Sequence, residues 1–216
     1  MKTREFQLDA LARARELQNE AAKLHIPVPI LSWGYEIKDE SGNVIEKGTG
    51  KSNSYTRNAL NSMAFYIGLA DYNICANSFG DGILSRKTAD GTVATAKQTY
   101  SYFRTGTSNP YLFVGTSTDA ESLDSYVLPT SDLTSNDTSV SSTFNSTSRR
   151  LITVISRMFI NGTGATIDIV ESGVGIQGYS SSYLILYIRD VFPAVSVAPG
   201  QTLTWTYVTE IAYPNP

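Results

Sequence analysis

The chain has 216 residues and a mass of 23.5 kDa, enough for one large domain or one domain with an appendage, and it argues against two independent enzymatic domains. A net charge of −3 and a pI near 5.2 leave no electrostatic footprint for nucleic acid. Only 17% of residues are charged, against roughly 25% in ordinary domains, while 41% are apolar, with 13 Tyr and 8 Phe, which excludes global disorder.

Residues 3–25 are predicted to form a helix. Ala10, Ala14, Leu17, Ala21 and Leu24 alternate at spacings of four and three, which makes an apolar seam, and Leu8 and Leu11 widen it. Alanine-rich seams bury little, and an isolated helix of this length is marginal in water. The expectation is an arm that docks on a neighbouring subunit or another protein, anchored by Leu8, Leu11, Leu17 and Leu24. Folding back onto its own body is the competing outcome. Pro27 and Pro29 forbid helix continuation and make 26–30 an extended strap that sets the arm's angle. The chain therefore divides into an arm and strap, 1–31, and a body, 32–216.

From Trp33 the period becomes two: Trp33, Tyr35 and Ile37 alternate with Gly34, Glu36 and Lys38, and 39–43 turns the chain into Val44 and Ile45, a β-hairpin. Asn53 or Ser54 caps a short helix carrying Leu60, Met63, Ala64 and Ile67 on one face. Strands are expected near 83–85, 100–104, 111–115, 151–160, 166–170, 183–189 and 202–211. In the last, Leu203, Trp205 and Tyr207 form a core face and Thr202, Thr204 and Thr206 a hydroxyl face. Residues 119–148, rich in Ser, Thr, Asp and Asn, read as a long surface excursion. Short strands without alternating helices point to an antiparallel β-sandwich or jelly-roll-like body with one packed helix and an N-terminal helical arm.

The catalytic inventory is thin. Cys75 is the only cysteine, so no intramolecular disulfide can form, and it reads as a small buried hydrophobe. His25, the only histidine, sits at the helix–strap junction, where a helix C-terminus favours its charged form. No nucleophile elbow, phosphate-binding loop or zinc spacing occurs, so neither catalysis nor a cofactor or metal is expected. Asp81-Gly82 and Asp90-Gly91 are foremost turn dipeptides. Glu171 and Arg189 are expected to form a structural ion pair across strands, with a glycosidase carboxylate pair involving Glu171 and Asp168 as the lesser alternative. The sequons at Asn136, Asn145 and Asn161 carry little weight. With no apolar leader at its start and no apolar run of the ~18 residues a span needs, the chain is expected to be made in a cytoplasm and not to enter a membrane.

Several stretches resemble virion proteins of tailed bacteriophages. They are 33–39 (Trp-Gly-Tyr-Glu-Ile-Lys-Asp) leading to Gly42-Asn43-Val44, 52–58 (Ser-Asn-Ser-Tyr-Thr-Arg-Asn) and 111–118 (Tyr-Leu-Phe-Val-Gly-Thr-Ser-Thr). Two more are 167–174 (Ile-Asp-Ile-Val-Glu-Ser-Gly-Val) and the closing Arg189-Asp190-Val191 followed by 199–207 (Pro-Gly-Gln-Thr-Leu-Thr-Trp-Thr-Tyr). The resemblance spans roughly 33–213, through turn and strand signatures without catalytic content. It implies a non-enzymatic tail, neck, collar or head-decoration component located in the virion, with further copies of itself and other virion proteins as partners. The alternative is a carbohydrate-binding module of a phage fibre, with a host-surface glycan as ligand; Tyr and Trp on a sandwich face can stack on sugar rings.

Overall fold

Period-two alternation builds the middle of the largest sheet. In a computed structural model, β2 (Pro29–Lys38) and β12 (Thr202–Ala212) run antiparallel, with Tyr35 opposite Trp205 and Trp33 opposite Tyr207. The structure describes residues 1–6, 12, 15–17, 19–20, 29–52, 85–87, 93–95, 110–120, 128–177 and 184–212. Among these the protein is mainly β, in sheets whose pairings are antiparallel except for β1 on β3. The remaining strands are β1 (Lys2–Phe6), β3 (Val44–Lys51), β4 (Ser85–Lys87), β5 (Val93–Thr95), β6 (Tyr111–Gly115), β7 (Thr134–Ser135), β8 (Ser139–Asn145), β9 (Arg150–Ile160), β10 (Ile167–Gln177) and β11 (Leu184–Val197).

The chain divides into two compact units. The first comprises Met1–Asn53, Asp132–Thr166 and Val197–Pro216. It holds a seven-stranded sheet in the order β1-β3-β2-β12-β9-β7, with β8 also on β9. One face of this sheet is its core: Trp33, Tyr35, Ile37, Leu203, Trp205, Tyr207, Ile155 and Phe159 are all buried. Trp205 stacks on Trp33 with ring centroids 5.1 Å apart and on Tyr35 at 5.6 Å, contacts worth about 0.5–1.5 kcal/mol each beyond area burial. The alternation of sequence 202–207 thus sorts as expected, with the threonines on the opposite face.

Tight turns and a capped corner fix the register. The β2–β3 hairpin closes through Asp39, whose carboxylate accepts hydrogen bonds from the Asn43 backbone and side-chain amides at 2.9 and 3.1 Å; Gly42 supplies φ +82°. After β9, Asn161 ties three segments together. Its side-chain amide donates to the carbonyls of Ala165 and Val197, and its Oδ1 accepts from the amide and hydroxyl of Thr163. Fully buried and fully engaged, Asn161 is unavailable as a glycan acceptor.

The second unit comprises Ser54–Ser131 and Ile167–Ser196. Its three-stranded sheet has the order β11-β10-β6, and β4 pairs with β5 as a separate ribbon. β10 and β11 run well past the expected ends at 170 and 189. Pro193 is tolerated within β11 because that strand lies at the edge of its sheet.

Two expectations are corrected. Residues 3–6 are strand, not helix: β1 lies parallel to β3, with Lys2 opposite Glu46 and Phe6 opposite Gly50. The helical preference of such a segment is weak without packing, and the β3 edge offers it a row of backbone partners. Helical backbone occurs further on, at Ala12, Arg15, Glu16, Leu17, Asn19 and Glu20. Nor is 119–148 wholly an excursion, since β7 and β8 both pair with β9. Between them Asn136 bridges the gap in the ladder: its amide donates to the Met158 carbonyl and its Oδ1 accepts from the Met158 amide. The helix expected after Asn53, the strand at 100–104, His25, Cys75, Asp81 and Asp90 lie outside the described residues.

Candidate functional site

Three polar clusters stand out, and the first secures the N-terminus. Glu46 lies on the core face of β3 near its edge. Its Oε1 accepts from the Tyr35 hydroxyl at 2.7 Å and from Arg4 Nε at 2.8 Å, and Lys2 Nζ lies 3.7 Å from Oε2. The cluster follows from strand geometry, because register partners in a sheet share a face and Lys2 and Arg4 sit opposite Glu46 and Gly48. Burial, reinforced by the hydrogen bond to the Glu46 carboxylate, pushes the Tyr35 hydroxyl well above the usual tyrosine range. Gly48 and Gly50 complete the arrangement. A Cβ at Gly48 would meet the Tyr35 ring, and one at Gly50 the Trp33 ring, so these glycines let the aromatic side chains lie flat across β3.

The second cluster is on the opposite face of the same sheet. A groove of about 520 Å³ runs over Gly34, lined by Thr49, Thr204, Thr206, Glu36 and Lys47. Hydroxyls continue across the strands: Ser156 Oγ lies 3.1 Å from Thr206 Oγ1, and Ser139 Oγ donates to the Ser156 carbonyl at 3.2 Å. Gly34 differs from Gly48 and Gly50, since a Cβ there would make only ordinary contacts at 3.5 and 3.6 Å. Packing does not demand glycine at this position, and its missing side chain keeps the groove open. A surface of this kind presents hydrogen-bond donors and acceptors to a neutral polar partner.

The third cluster is buried in the second unit. Arg189 Nε donates to Glu171 Oε2 at 2.8 Å, with both side chains almost fully buried. The same guanidinium donates to the carbonyls of Asp119 and Ala120 at 3.0 and 3.1 Å, clamping the chain that leaves β6. Gly115, opposite Glu171 in the ladder, makes room for that carboxylate, which would collide with any Cβ there. The cross-strand ion pair read from the sequence is therefore present, and its role is to fix a loop. Asp168 and Glu171, three residues apart on one strand, point to opposite faces. Asp168 is exposed and accepts from the Ser196 hydroxyl at 2.6 Å, so the two carboxylates are not brought together around one substrate.

Of the arm's anchors, Leu17 is 70% exposed, and Pro29 is the exposed first residue of β2. Leu8, Leu11, Leu24 and Pro27 lie outside the described residues. Polar contacts hold the arm where it is described: Arg15 pairs with Glu210 at 2.7 Å, and Arg150, which also pairs with Glu210, donates to Asn19 at 2.9 Å. Sequence reasoning missed Lys2, Arg4 and Glu46. The signal was present as an alternation in Lys2, Arg4 and Phe6 matching that of Glu46, Gly48 and Gly50, but nothing local identified the two as neighbours. No family model matches the chain, and neither a curated protein nor a solved structure matches it.

Proposed function

We propose that this protein is a non-enzymatic structural component of a bacteriophage virion, a tail, neck, collar or head-decoration protein with a β-sandwich body. It is made in the host cytoplasm and assembles with copies of itself and with other virion proteins through its N-terminal arm and its sheet faces. The observation that carries this reading is the arm. Its first strand is clipped to a sheet edge by polar contacts, and its helical residues leave Leu17 exposed. The hydroxyl-rich face supports the same reading, since low-charge polar surfaces suit burial between subunits. Mass spectrometry of purified particles of the phage that encodes the chain tests it. Peptides of the chain in many copies per particle are expected, and their absence from the particle overturns the reading.

The groove over Gly34 favours a second reading, a glycan-binding module at a fibre tip, in which the threonine hydroxyls hydrogen-bond a sugar. A glycan array probed with the purified protein separates the two. Binding that Thr204→Val and Thr206→Val abolish supports the module, and an array without hits removes it.

A further inference from the structure

We propose that β8 is a self-association edge, a reading that rests on the assembly role above for its setting: two copies of this chain join their seven-stranded sheets by pairing β8 antiparallel with the second copy's β8, about a two-fold axis at Ser142. Among the described residues β8 pairs with β9 alone, so it lies at a margin of the sheet. A strand paired on one side turns alternate backbone N–H and C=O groups outward. All of β8 except Val140 is exposed, on both faces, with Phe144 at 53%.

Sheet margins are ordinarily kept from pairing by charge, proline or a bulge. The other margin follows that rule, since β1 carries Lys2, Arg4 and Glu5. β8, Ser-Val-Ser-Ser-Thr-Phe-Asn, has no charge, proline or glycine. Its ladder with β9 runs from Ser139 opposite Ser156 to Asn145 opposite Arg150 without a shift of register. It is a straight, neutral edge whose composition favours a further strand.

The side-chain pattern identifies that strand as a second β8. Opposed residues share a face, so a two-fold axis normal to the sheet sets each residue against itself or against one an even number of places away. Ser142 is the midpoint of Ser139–Asn145. An axis there engages the whole strand, with Ser139 against Asn145, Val140 against Phe144, Ser141 against Thr143 and Ser142 against itself. On the core face Val140 continues the row Tyr207–Ile155, and Phe144 continues the row Ile211–Leu151. Both rows end at the margin in a single copy. Across the axis each runs into the other row of the second copy, and two aromatic–β-branched contacts form between Val140 and Phe144. Moving the axis to Ser141 or Thr143 sets Phe144 against Thr138 or Ser142 instead, and the apolar rows no longer meet. The charges flanking β8 are Asp137 and Arg149, of opposite sign at opposite ends, so antiparallel pairing brings unlike charges together. The axis consumes both edges, and growth through this surface stops at two copies.

The full-length chain tests this by light scattering coupled to size-exclusion chromatography. Ser142 is exposed and its hydroxyl lies 3.0 Å from Thr153 Oγ1, so Ser142→Lys and Ser142→Glu alter the surface and not the core. The unaltered chain is expected to be a dimer. Either variant alone places like charges against each other on the axis and weakens the dimer by at least about tenfold, while an equimolar mixture of the two restores a 1:1 dimer. A monomeric unaltered chain overturns the proposal. Variants that dimerise as tightly as the unaltered chain overturn it too, because the contact then lies elsewhere, and a mixture that stays monomeric refutes pairing about Ser142.

Hydrogen exchange of the unaltered chain gives a measurement that needs no substitution. Amides within 139–145 are expected to lose protection on dilution, as the outward N–H groups return to solvent, and protection independent of concentration overturns the proposal. A purified chain that fails to pair through β8 leaves the virion reading standing, and absence of the protein from particles refutes that reading without affecting the dimer in solution, so the two failures are distinguishable.

Discussion

Glycines separate packing from function at the scale of single residues. At Gly48 and Gly50 an added methyl runs into the Tyr35 and Trp33 rings, so Gly48→Ala or Gly50→Ala is expected to destabilise by about 1–3 kcal/mol, as overpacking of a tight site does. Gly34→Ala meets no such obstacle and should be neutral or stabilising by up to ~1 kcal/mol, because alanine loses less backbone entropy on folding. Chemical denaturation of the three variants checks the contrast. If Gly34→Ala destabilises as much as the other two, the groove is a packing requirement and not an open surface. Tyr35 adds a pH signature. Its folded pKa is raised, so the stability it contributes is fully present below the ordinary value of about 10 and is lost as pH climbs through the higher folded value. Tyr35→Phe, which removes the hydrogen bond to Glu46, should cost about 1–2 kcal/mol near neutrality and flatten the alkaline limb of the stability profile.

At the scale of elements, the buried ion pair and the hairpin turn behave oppositely. Breaking the pair by Glu171→Gln or Arg189→Met leaves one buried group uncompensated, a loss of about 3–5 kcal/mol. Replacing both by apolar residues of similar volume should recover much of that loss, and a double-mutant cycle by urea denaturation measures it. Because Arg189 also holds the Asp119 and Ala120 carbonyls, hydrogen exchange in 116–120 should accelerate in Arg189→Met beyond what global destabilisation explains. The 39–43 turn is exposed, and its effect lies in pH. Hydrogen bonds from the Asn43 backbone and side chain lower the Asp39 pKa, so this contribution is present above the ordinary carboxylate range and fades as pH falls through the depressed value. Asp39→Asn should blunt the acid dependence of hairpin exchange protection, and an unchanged acid limb would remove Asp39 from that role.

Over the whole molecule, the arm is the part whose removal discriminates. Deleting residues 1–25 is expected to leave the stacked Trp33, Tyr35 and Trp205 core intact, reported by tryptophan fluorescence, and, under the proposed virion role, to abolish incorporation into particles. A truncated chain that unfolds would instead make those residues part of the body's own core. The sequence by itself determined much of the β architecture, because side chains alternate along a strand in every context. The β2–β3 hairpin, β12 and the burial of Trp205 and Tyr207 were legible from period-two patterns, β6 and β9 as short strands between turn residues, and the Glu171–Arg189 pair from charges at the ends of apolar runs. Only the tertiary structure decided the rest. Residues 3–6 carry a helix-compatible pattern, yet they pair as a strand because the edge of β3 supplies backbone partners and Glu46 supplies a countercharge. The polar stretches 134–135 and 139–145 became strands because β9 offered its own unpaired edge. The groove over Gly34 was unreadable for the same reason: its walls come from β1, β3, β2 and β12, whose adjacency is a property of the sheet and not of any local run of residues.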